Sequence, residues 1–243
     1  MKHIPASEVR PTIARHLLAD GFELVLDLRK SKGSVIYDAL EGKEYLDLFS
    51  FFASAPLGMN HPALCTDEFR NYLADVAINK PSNSDFYTEE LAIFVETFAD
   101  TAVPDSHPHL FFISGGALAV ENALKTAFDW KVRKNLEAGR GEIGTKVIHF
   151  RSAFHGRTGY TLSLTNTADP RKYMYFPRFD WPRVDVPAVK FPLEDNLESV
   201  KELEKKSLAQ IDEAIKTHGH DIAALVVEPI QGEGGDNHLR PEY

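Results

Sequence analysis

The pattern of hydrophobic and polar positions predicts a chain in which helices and strands alternate. Apolar residues recur at helical spacing in several segments, namely residues 6–19, 63–77, 88–101, 117–137, 158–166 and 195–217. Shorter apolar runs at residues 111–113, 146–150 and 222–227 predict strands. Because helices separate these strands, the order is typical of an α/β protein with a mainly parallel sheet.

The first fifty residues carry a different pattern. Runs with strand-like composition occur around residues 22–28, 35–37 and 45–49, and glycine-containing turns separate them. This arrangement predicts a small antiparallel meander. Further along, a polar turn at residues 80–85 is predicted to join two helices.

The most informative stretch is the Ser-Gly-Gly turn at residues 114–116, between a predicted strand and a predicted helix. The first N–H groups of a helix have no partner within the helix and lie at the positive end of its dipole, so they can hold a phosphate. Glycines allow such an anion to approach the backbone closely. From this stretch alone, a phosphate site and a simple chain reversal both remain open.

Composition limits the classes of function. The 243 residues are 43% hydrophobic and 26% charged, which is ordinary for a globular protein with a core. A formal net charge of -9 argues against a nucleic-acid partner, because such binding relies on Lys and Arg to neutralise phosphates. The single cysteine, Cys65, excludes an internal disulfide. No apolar run has membrane-spanning length and the N-terminus has no apolar signal core, so we expect a cytoplasmic protein without a membrane partner.

Two histidines near the end of the last predicted helix, His218 and His220, are possible metal ligands. Neither a cysteine nor a further histidine cluster completes a site with them, so we expect no metal. We interpret them as residues at a helix end, with Gly219 as the C-cap.

Three common phosphate-binding arrangements can be compared with the turn. A P-loop requires Gly-Lys-Ser/Thr after its glycines, whereas Ala117 follows them here. A dinucleotide site requires Gly-x-Gly-x-x-Gly and an acid at the end of the next strand, and residues 150–152 contain none. Pyridoxal phosphate requires a helix N-terminus, an aromatic residue against its ring, an acid at the pyridinium nitrogen and a Schiff-base lysine. The turn at 115–117 and Phe154 are candidates for the first two.

Three motifs make the chain resemble the class III, ornithine-aminotransferase-like, pyridoxal-phosphate-dependent aminotransferases of fold type I. They are FISGGA at 112–117 with ENALK at 121–125, FHGRT at 154–158, and VEPIQGEGG at 227–235, in the family's order and approximate spacing. Most members of the family have Ser/Thr-Glu-Ala after the glycine of the turn. The sequence GGALAVENALK here, together with residues 51–62, looks like the L-lysine 6-aminotransferase branch.

The resemblance implies an α/β fold of type I. Residues 1–75 would form an N-terminal segment that contributes to the small domain. Residues 76–243 would form the first part of the large domain, which binds pyridoxal 5'-phosphate around its mainly parallel central sheet.

Cofactor-binding residues follow from the same resemblance. Gly115, Gly116 and Ala117 match the backbone that holds the cofactor phosphate. Phe154 matches the aromatic residue stacked on the pyridine ring, and His155 belongs to the same motif. From the residues alone, an ordinary core residue remains an alternative for Phe154.

Two further residues match substrate-binding positions. Arg157 matches the anchor of the substrate α-carboxylate, and a guanidinium suits that role because it forks onto a carboxylate. Glu228 matches the family glutamate that pairs with a distant arginine while an amino donor is bound and swings aside for 2-oxoglutarate. The residues alone also allow a surface ion-pair partner for Arg157 and a strand-end acid for Glu228.

The resemblance leaves this chain without catalytic residues. The Schiff-base lysine and the pyridinium aspartate are expected beyond Tyr243, and no lysine here lies in a matching context. We therefore interpret the chain as the N-terminal part of a homodimeric enzyme that transfers the ε-amine of L-lysine to 2-oxoglutarate, and we expect residues 1–243 alone to be inactive. Alternatives are an enzyme that uses ornithine, acetylornithine or 4-aminobutyrate, and a non-catalytic binding or dimerisation module.

Overall fold

The computed structural model describes residues 3–79 and 85–243 of the chain. The chain divides into two compact units, the first ending at Pro108 and the second running from His109 to Tyr243. Assignment of residues 1–75 and 76–243 to the small and large domains of a complete enzyme stays a prediction. Apart from Asp85, the predicted polar turn at 80–85 lies outside the described residues.

The first unit contains short strands and helices. In chain order they are α1 Ala6–Ala14, β1 Val35–Asp38, β2 Lys43–Leu46, α2 Ser50–Ala53, a 3-10 turn Pro62–Leu64, α3 Asp67–Ile78 and α4 Glu89–Ala102. The helix predicted over 6–19 is therefore confirmed only as far as Ala14. α2 is a single left-handed turn, with φ between 47° and 60° at its four residues.

The predicted meander is confirmed for two of its strands. β1 and β2 pair antiparallel, with Val35 opposite Leu46. The run at 22–28 contributes only an isolated antiparallel bridge between Leu26 and Asp38, so the third strand was wrong. The carboxylate of the buried Asp38 explains the difference, because it accepts the backbone N–H of Val25 at 2.9 Å. This N–H is then not used for a further backbone hydrogen bond between strands.

Helices α3 and α4 begin at side-chain caps. Thr66 Oγ1 accepts from the N–H of Phe69, and Thr88 Oγ1 accepts from the N–H of Leu91, each at 3.2 Å. Both helices carry acidic residues in the first turn, where the helix dipole favours negative charge. These caps confirm the two predicted helices and place their starts at residues 67 and 89.

The second unit is an α/β structure. Its elements are α5 Gly116–Glu137, β3 Lys146–Phe150, α6 Gly159–Leu164, a 3-10 turn Pro170–Lys172, β4 Arg183–Val184, α7 Leu193–His218, a 3-10 turn Gly219–Asp221, β5 Ile222–Val226, β6 Ile230–Gln231 and β7 Asn237–His238. β3 is the central strand of a parallel sheet with the order β4–β3–β5, which confirms the predicted parallel pairing.

Successive side chains of β3 face opposite sides of this sheet. Val147 packs with Leu124 of α5 and Leu164 of α6 on one side. Ile148 packs with Ala214 of α7 on the other side. Helices on both faces explain why β3 reads as a continuous apolar run in the sequence.

Helix α7 ends as predicted, because Gly219 has a φ of 53° at its C-cap. His218 and His220 lie at this helix end, and the described residues contain no cluster of three or more potential metal ligands. In the described part of the chain, no helix combines the length and the apolarity needed to cross a bilayer.

The strand predicted at residues 111–113 was wrong. Within the described residues this segment has no strand assignment, and the Phe111 side chain is 71% exposed. A strand depends on hydrogen bonds to a neighbouring strand. The three-stranded sheet of β3, β4 and β5 does not include residues 111–113 as a neighbour.

Candidate functional site

The N-terminus of α5 presents backbone donors without a side-chain cap. Gly115 is the N-cap residue, with φ 92° and ψ 146°, and the first turn contains no acidic residue. A Cβ built on Gly115 or Gly116 would meet no atom within 4 Å, so the space beside the turn is open. The first N–H groups of this 22-residue helix are therefore available to an anion.

The loop after β3 packs directly against this helix N-terminus. Gly156 has a φ of 128°, and a Cβ at this position would lie 2.5 Å from Ala117 Cβ. Only glycine allows such an approach with such a backbone. Thr165 fixes the same loop from the other side, because it accepts the N–H of His155 at 3.1 Å and donates to the Gly156 carbonyl at 2.7 Å.

The loop after β5 completes the arrangement. Glu228 Oε1 accepts the backbone N–H of Phe154 at 2.8 Å. The buried side chain of Gln231 donates to the Arg151 carbonyl at 2.8 Å. Gly234 lies so near the backbone of the β3 loop that a Cβ there would be 2.0 Å from the Ser152 carbonyl oxygen. The three motifs singled out in the sequence thus meet at the carboxyl end of the parallel sheet, where open α/β sheets bind ligands.

Burial perturbs two ionisable groups at this junction. Desolvation raises the pKa of the Glu228 carboxyl, although the hydrogen bond from Phe154 opposes it. Desolvation lowers the pKa of His155, whose Nε2 is 3.9 Å from Glu228 Oε1. Ionisable groups shifted by burial are common in functional sites.

The half-buried ring of Phe154 carries a cation on one side. Lys172 Nζ lies 5.9 Å from the ring centroid and forms an ion pair with Glu233. Sequence reasoning missed Lys172, because it lies in a proline- and aromatic-rich segment without a recognisable motif. Thr165 was missed as well, since its role depends on the fold of the loop and not on a local pattern.

The structure brings most of the predicted site residues together. Ala117 lies against Gly156, Glu228 contacts Phe154 and His155 of the same loop, and Gly116 directly precedes Ala117.

Arg157 follows on the same loop with an exposed side chain. It forms no hydrogen bond or ion pair with residues 3–79 or 85–243. A guanidinium without a protein partner can bind a substrate carboxylate without first breaking an ion pair.

This set of groups fits a pyridoxal phosphate cofactor. Open N–H groups at Gly116 and Ala117 suit a phosphate, and the aromatic face of Phe154 suits the pyridine ring. Because Gly156 holds the two features in contact, phosphate and ring can be bound by one rigid unit.

Comparison with known proteins agrees with this fit. The family described as Aminotransferase class-III matches residues 19–243. The L-lysine-epsilon aminotransferase of Mycobacterium tuberculosis is 54% identical over 237 residues, which are 97% of this chain and 52% of that protein. The corresponding enzyme of Amycolatopsis lactamdurans is 52% identical over 239 residues, which are 98% of this chain and 53% of that protein. The chain spans about half the length of the curated relatives it matches.

A solved structure of a lysine aminotransferase from M. tuberculosis has a TM-score of 0.93 at 52% identity, over 98% of this chain and 55% of that one. This similarity confirms the expected α/β fold of type I, and the same family confirms pyridoxal phosphate as the cofactor. The chain belongs to the class-III aminotransferases.

Proposed function

We propose that the complete protein transfers the ε-amine of L-lysine to 2-oxoglutarate, giving 2-aminoadipate 6-semialdehyde and glutamate. One arrangement carries the proposal: Gly156 holds the Phe154 loop against an uncapped helix N-terminus, and Arg157 on that loop makes no hydrogen bond or ion pair with the described residues. Identities of 52–54% to lysine aminotransferases support lysine as the donor.

The residues of this chain divide the work of binding the cofactor. Pyridoxal phosphate supplies an aldehyde and an electron sink when it is bound. Backbone N–H groups of Gly115, Gly116 and Ala117 hold the phosphate, and Phe154 covers one face of the ring. His155 fixes the loop through its backbone bond to Thr165.

Substrate recognition is assigned to Arg157 and Glu228. Arg157 binds the α-carboxylate of lysine in a fork, so that the distant ε-amine points at the aldehyde. Glu228 neutralises a cationic group of the complete site while lysine is bound, and moves when 2-oxoglutarate brings a second carboxylate.

The lysine that carries the cofactor and the acid at the pyridinium nitrogen are assigned to residues beyond Tyr243. Accordingly, residues 1–243 alone are expected to be inactive. We also propose that the complete enzyme is a homodimer, as the family resemblance implies.

The decisive experiment uses the protein encoded by the entire gene. Pyridoxal phosphate is added, and the absorbance of the bound cofactor is recorded before and after L-lysine and then 2-oxoglutarate. We expect lysine to change the spectrum and 2-oxoglutarate to restore it. A response only to ornithine, acetylornithine or 4-aminobutyrate contradicts lysine as the donor, and no cofactor band at all contradicts the enzymatic function.

Arg157 is tested in the same assay. Arg157→Ala is expected to lower kcat/KM for lysine about 100-fold, the order of magnitude for losing a charge-assisted bidentate contact. Arg133→Ala is the matched control, because Arg133 is an exposed arginine of the same unit that pairs with Asp129 on α5. Equal effects of the two variants would contradict the assigned role.

A further inference from the structure

The imidazole of His155 is buried with an unsatisfied nitrogen. Its side chain is 7% exposed, and Nε2 has no hydrogen-bond partner among the described residues. The backbone bond to Thr165 fixes the position from which the ring projects. A buried polar atom without a partner is destabilising, so a native structure that keeps one calls for an explanation.

The acceptor that faces this nitrogen is the carboxylate of Glu228. The distance between His155 Nε2 and Glu228 Oε1 is 3.9 Å, which is too long for a hydrogen bond. Glu228 is itself incompletely satisfied, because the described residues donate one hydrogen bond to it, from the N–H of Phe154. A carboxylate can accept about four hydrogen bonds, so the unsatisfied Nε2 of His155 faces a carboxylate that can accept more hydrogen bonds than the one it has from Phe154.

Other charged groups near this pair do not replace His155. His149 of β3 lies within electrostatic reach, but burial lowers its pKa to about 3, so its ring is neutral at physiological pH. Arg183 acts electrostatically on His149 and donates to the Ser163 carbonyl at 3.2 Å. Burial also lowers the pKa of His155, which favours the neutral ring, and a neutral imidazole can donate one hydrogen bond to a carboxylate.

A movable carboxylate needs hydrogen-bond donors at each position that it occupies. When Glu228 moves away from its cationic partner to admit 2-oxoglutarate, its carboxylate loses a favourable charge interaction. Hydrogen bonds at the new position must replace that interaction. The described chain provides Phe154 N–H and His155 Nε2 for this purpose. A side-chain adjustment of about 1 Å brings Nε2 and Oε1 within hydrogen-bond distance.

We propose that His155 is a positioning residue for Glu228, whose carboxylate it holds beside the Phe154 backbone when the site accepts a dicarboxylate. This inference rests on the proposed function. His155 would then affect the choice between the two substrates, because its hydrogen bond to Glu228 stabilises only the state in which Glu228 has moved. Losing the donor therefore weakens dicarboxylate binding more than lysine binding.

The test compares His155→Leu, which removes the donor, with His155→Gln, whose amide nitrogen can reach the position of Nε2. Both variants are made in the complete, cofactor-loaded protein. Binding of the unreactive dicarboxylate glutarate is measured by calorimetry, and KM and kcat are measured separately for 2-oxoglutarate and lysine.

We expect His155→Leu to weaken glutarate binding about ten-fold more than it changes the KM for lysine, the size expected for one hydrogen bond to a charged group. His155→Gln should recover most of that loss. In a Glu228→Gln background, His155→Leu should have little further effect on glutarate affinity, because the neutral amide no longer needs a hydrogen bond from His155.

Three results would overturn the inference. They are unchanged glutarate binding in His155→Leu, equal losses for glutarate and lysine that His155→Gln does not rescue, and a loss that persists in full in the Glu228→Gln background. If the wild-type protein binds glutarate but does not turn over lysine, the proposed donor is wrong, while the comparison of glutarate affinities still decides the role of His155.

Discussion

Gly156→Ala tests whether the close approach of the Phe154 loop to α5 builds the cofactor site. The new Cβ would lie 2.5 Å from Ala117 Cβ and 2.8 Å from Thr161 Oγ1, whereas carbon atoms in contact are normally separated by about 3.5–4.0 Å. Both neighbours are well anchored, because Ala117 belongs to α5 and Thr161 is buried in α6. The loop and the helix must therefore move apart by about 1 Å.

Two effects add in this variant. Overpacking of a well-packed site costs about 1–3 kcal/mol. A non-glycine residue held at a φ of 128° costs about 1–3 kcal/mol more. We expect the free energy of unfolding to fall by about 2–6 kcal/mol in total, which is a large part of the stability of an ordinary domain.

Gly139→Ala is the matched control. Gly139 follows α5 with a φ of 68°, and a Cβ there would meet no atom within 4 Å, so this variant introduces backbone strain without a clash. Urea unfolding compares the stabilities, and titration of the complete protein with pyridoxal phosphate compares the affinities. We expect Gly156→Ala to bind the cofactor at least about ten-fold more weakly than Gly139→Ala, because phosphate and ring are no longer bound by one rigid unit. Equal stability and equal cofactor affinity in the two variants would refute the reasoning.

Three further predictions concern the packing of the second unit. Arg240→Leu should destabilise the protein by about 3 kcal/mol in urea unfolding, because it leaves the buried Glu204 carboxylate without the arginine that donates two hydrogen bonds to it. The double variant Arg240→Leu/Glu204→Leu should lose less unfolding free energy, and an equal or larger loss would contradict this prediction. Hydrogen bonds from Lys206 and neighbouring groups lower the pKa of Asp185 to about 2, so the contribution of this carboxylate to stability is present above pH 4 and is lost as the pH falls towards 2. The difference in unfolding free energy between wild type and Asp185→Asn should therefore shrink over that range. A difference that does not depend on pH would contradict this prediction. Asn135→Leu removes a fully buried amide that makes three hydrogen bonds and should lower the unfolding midpoint by several degrees in calorimetry, whereas an unchanged midpoint would show that these bonds contribute nothing net.

Local patterns predicted much of the second unit. The strand at 146–150 was predicted at its observed bounds, because a strand covered by helices on both faces is apolar along its whole length. The last helix was predicted within two residues at its start and one at its end, because its polar and apolar faces alternate at helical spacing and Gly219 stops it.

Elements that depend on a distant neighbour were predicted less well. The run at 111–113 is as apolar as a strand, yet it has no strand assignment in the described part of the chain. The run at 22–28 was reduced to one bridge, because the carboxylate of Asp38 binds the backbone of Val25. Neither outcome is encoded in the local alternation of apolar and polar residues.

Sequence by itself determined which groups the candidate site contains: the glycine turn at 115–116, the aromatic Phe154, the guanidinium of Arg157 and the carboxylate of Glu228. The glycine turn followed from its place before a predicted helix, and Phe154, Arg157 and Glu228 followed from the resemblance of their short motifs to the class III family. Only the tertiary structure decided that Gly156 lies against Ala117, and that the buried His155 faces Glu228 across 3.9 Å. Both contacts join residues far apart in the chain. His155 faces Glu228 because β3 and β5 lie side by side in a parallel sheet and direct their following loops to the same edge. Gly156 reaches Ala117 because α5 packs against β3 through Leu124 and Val147.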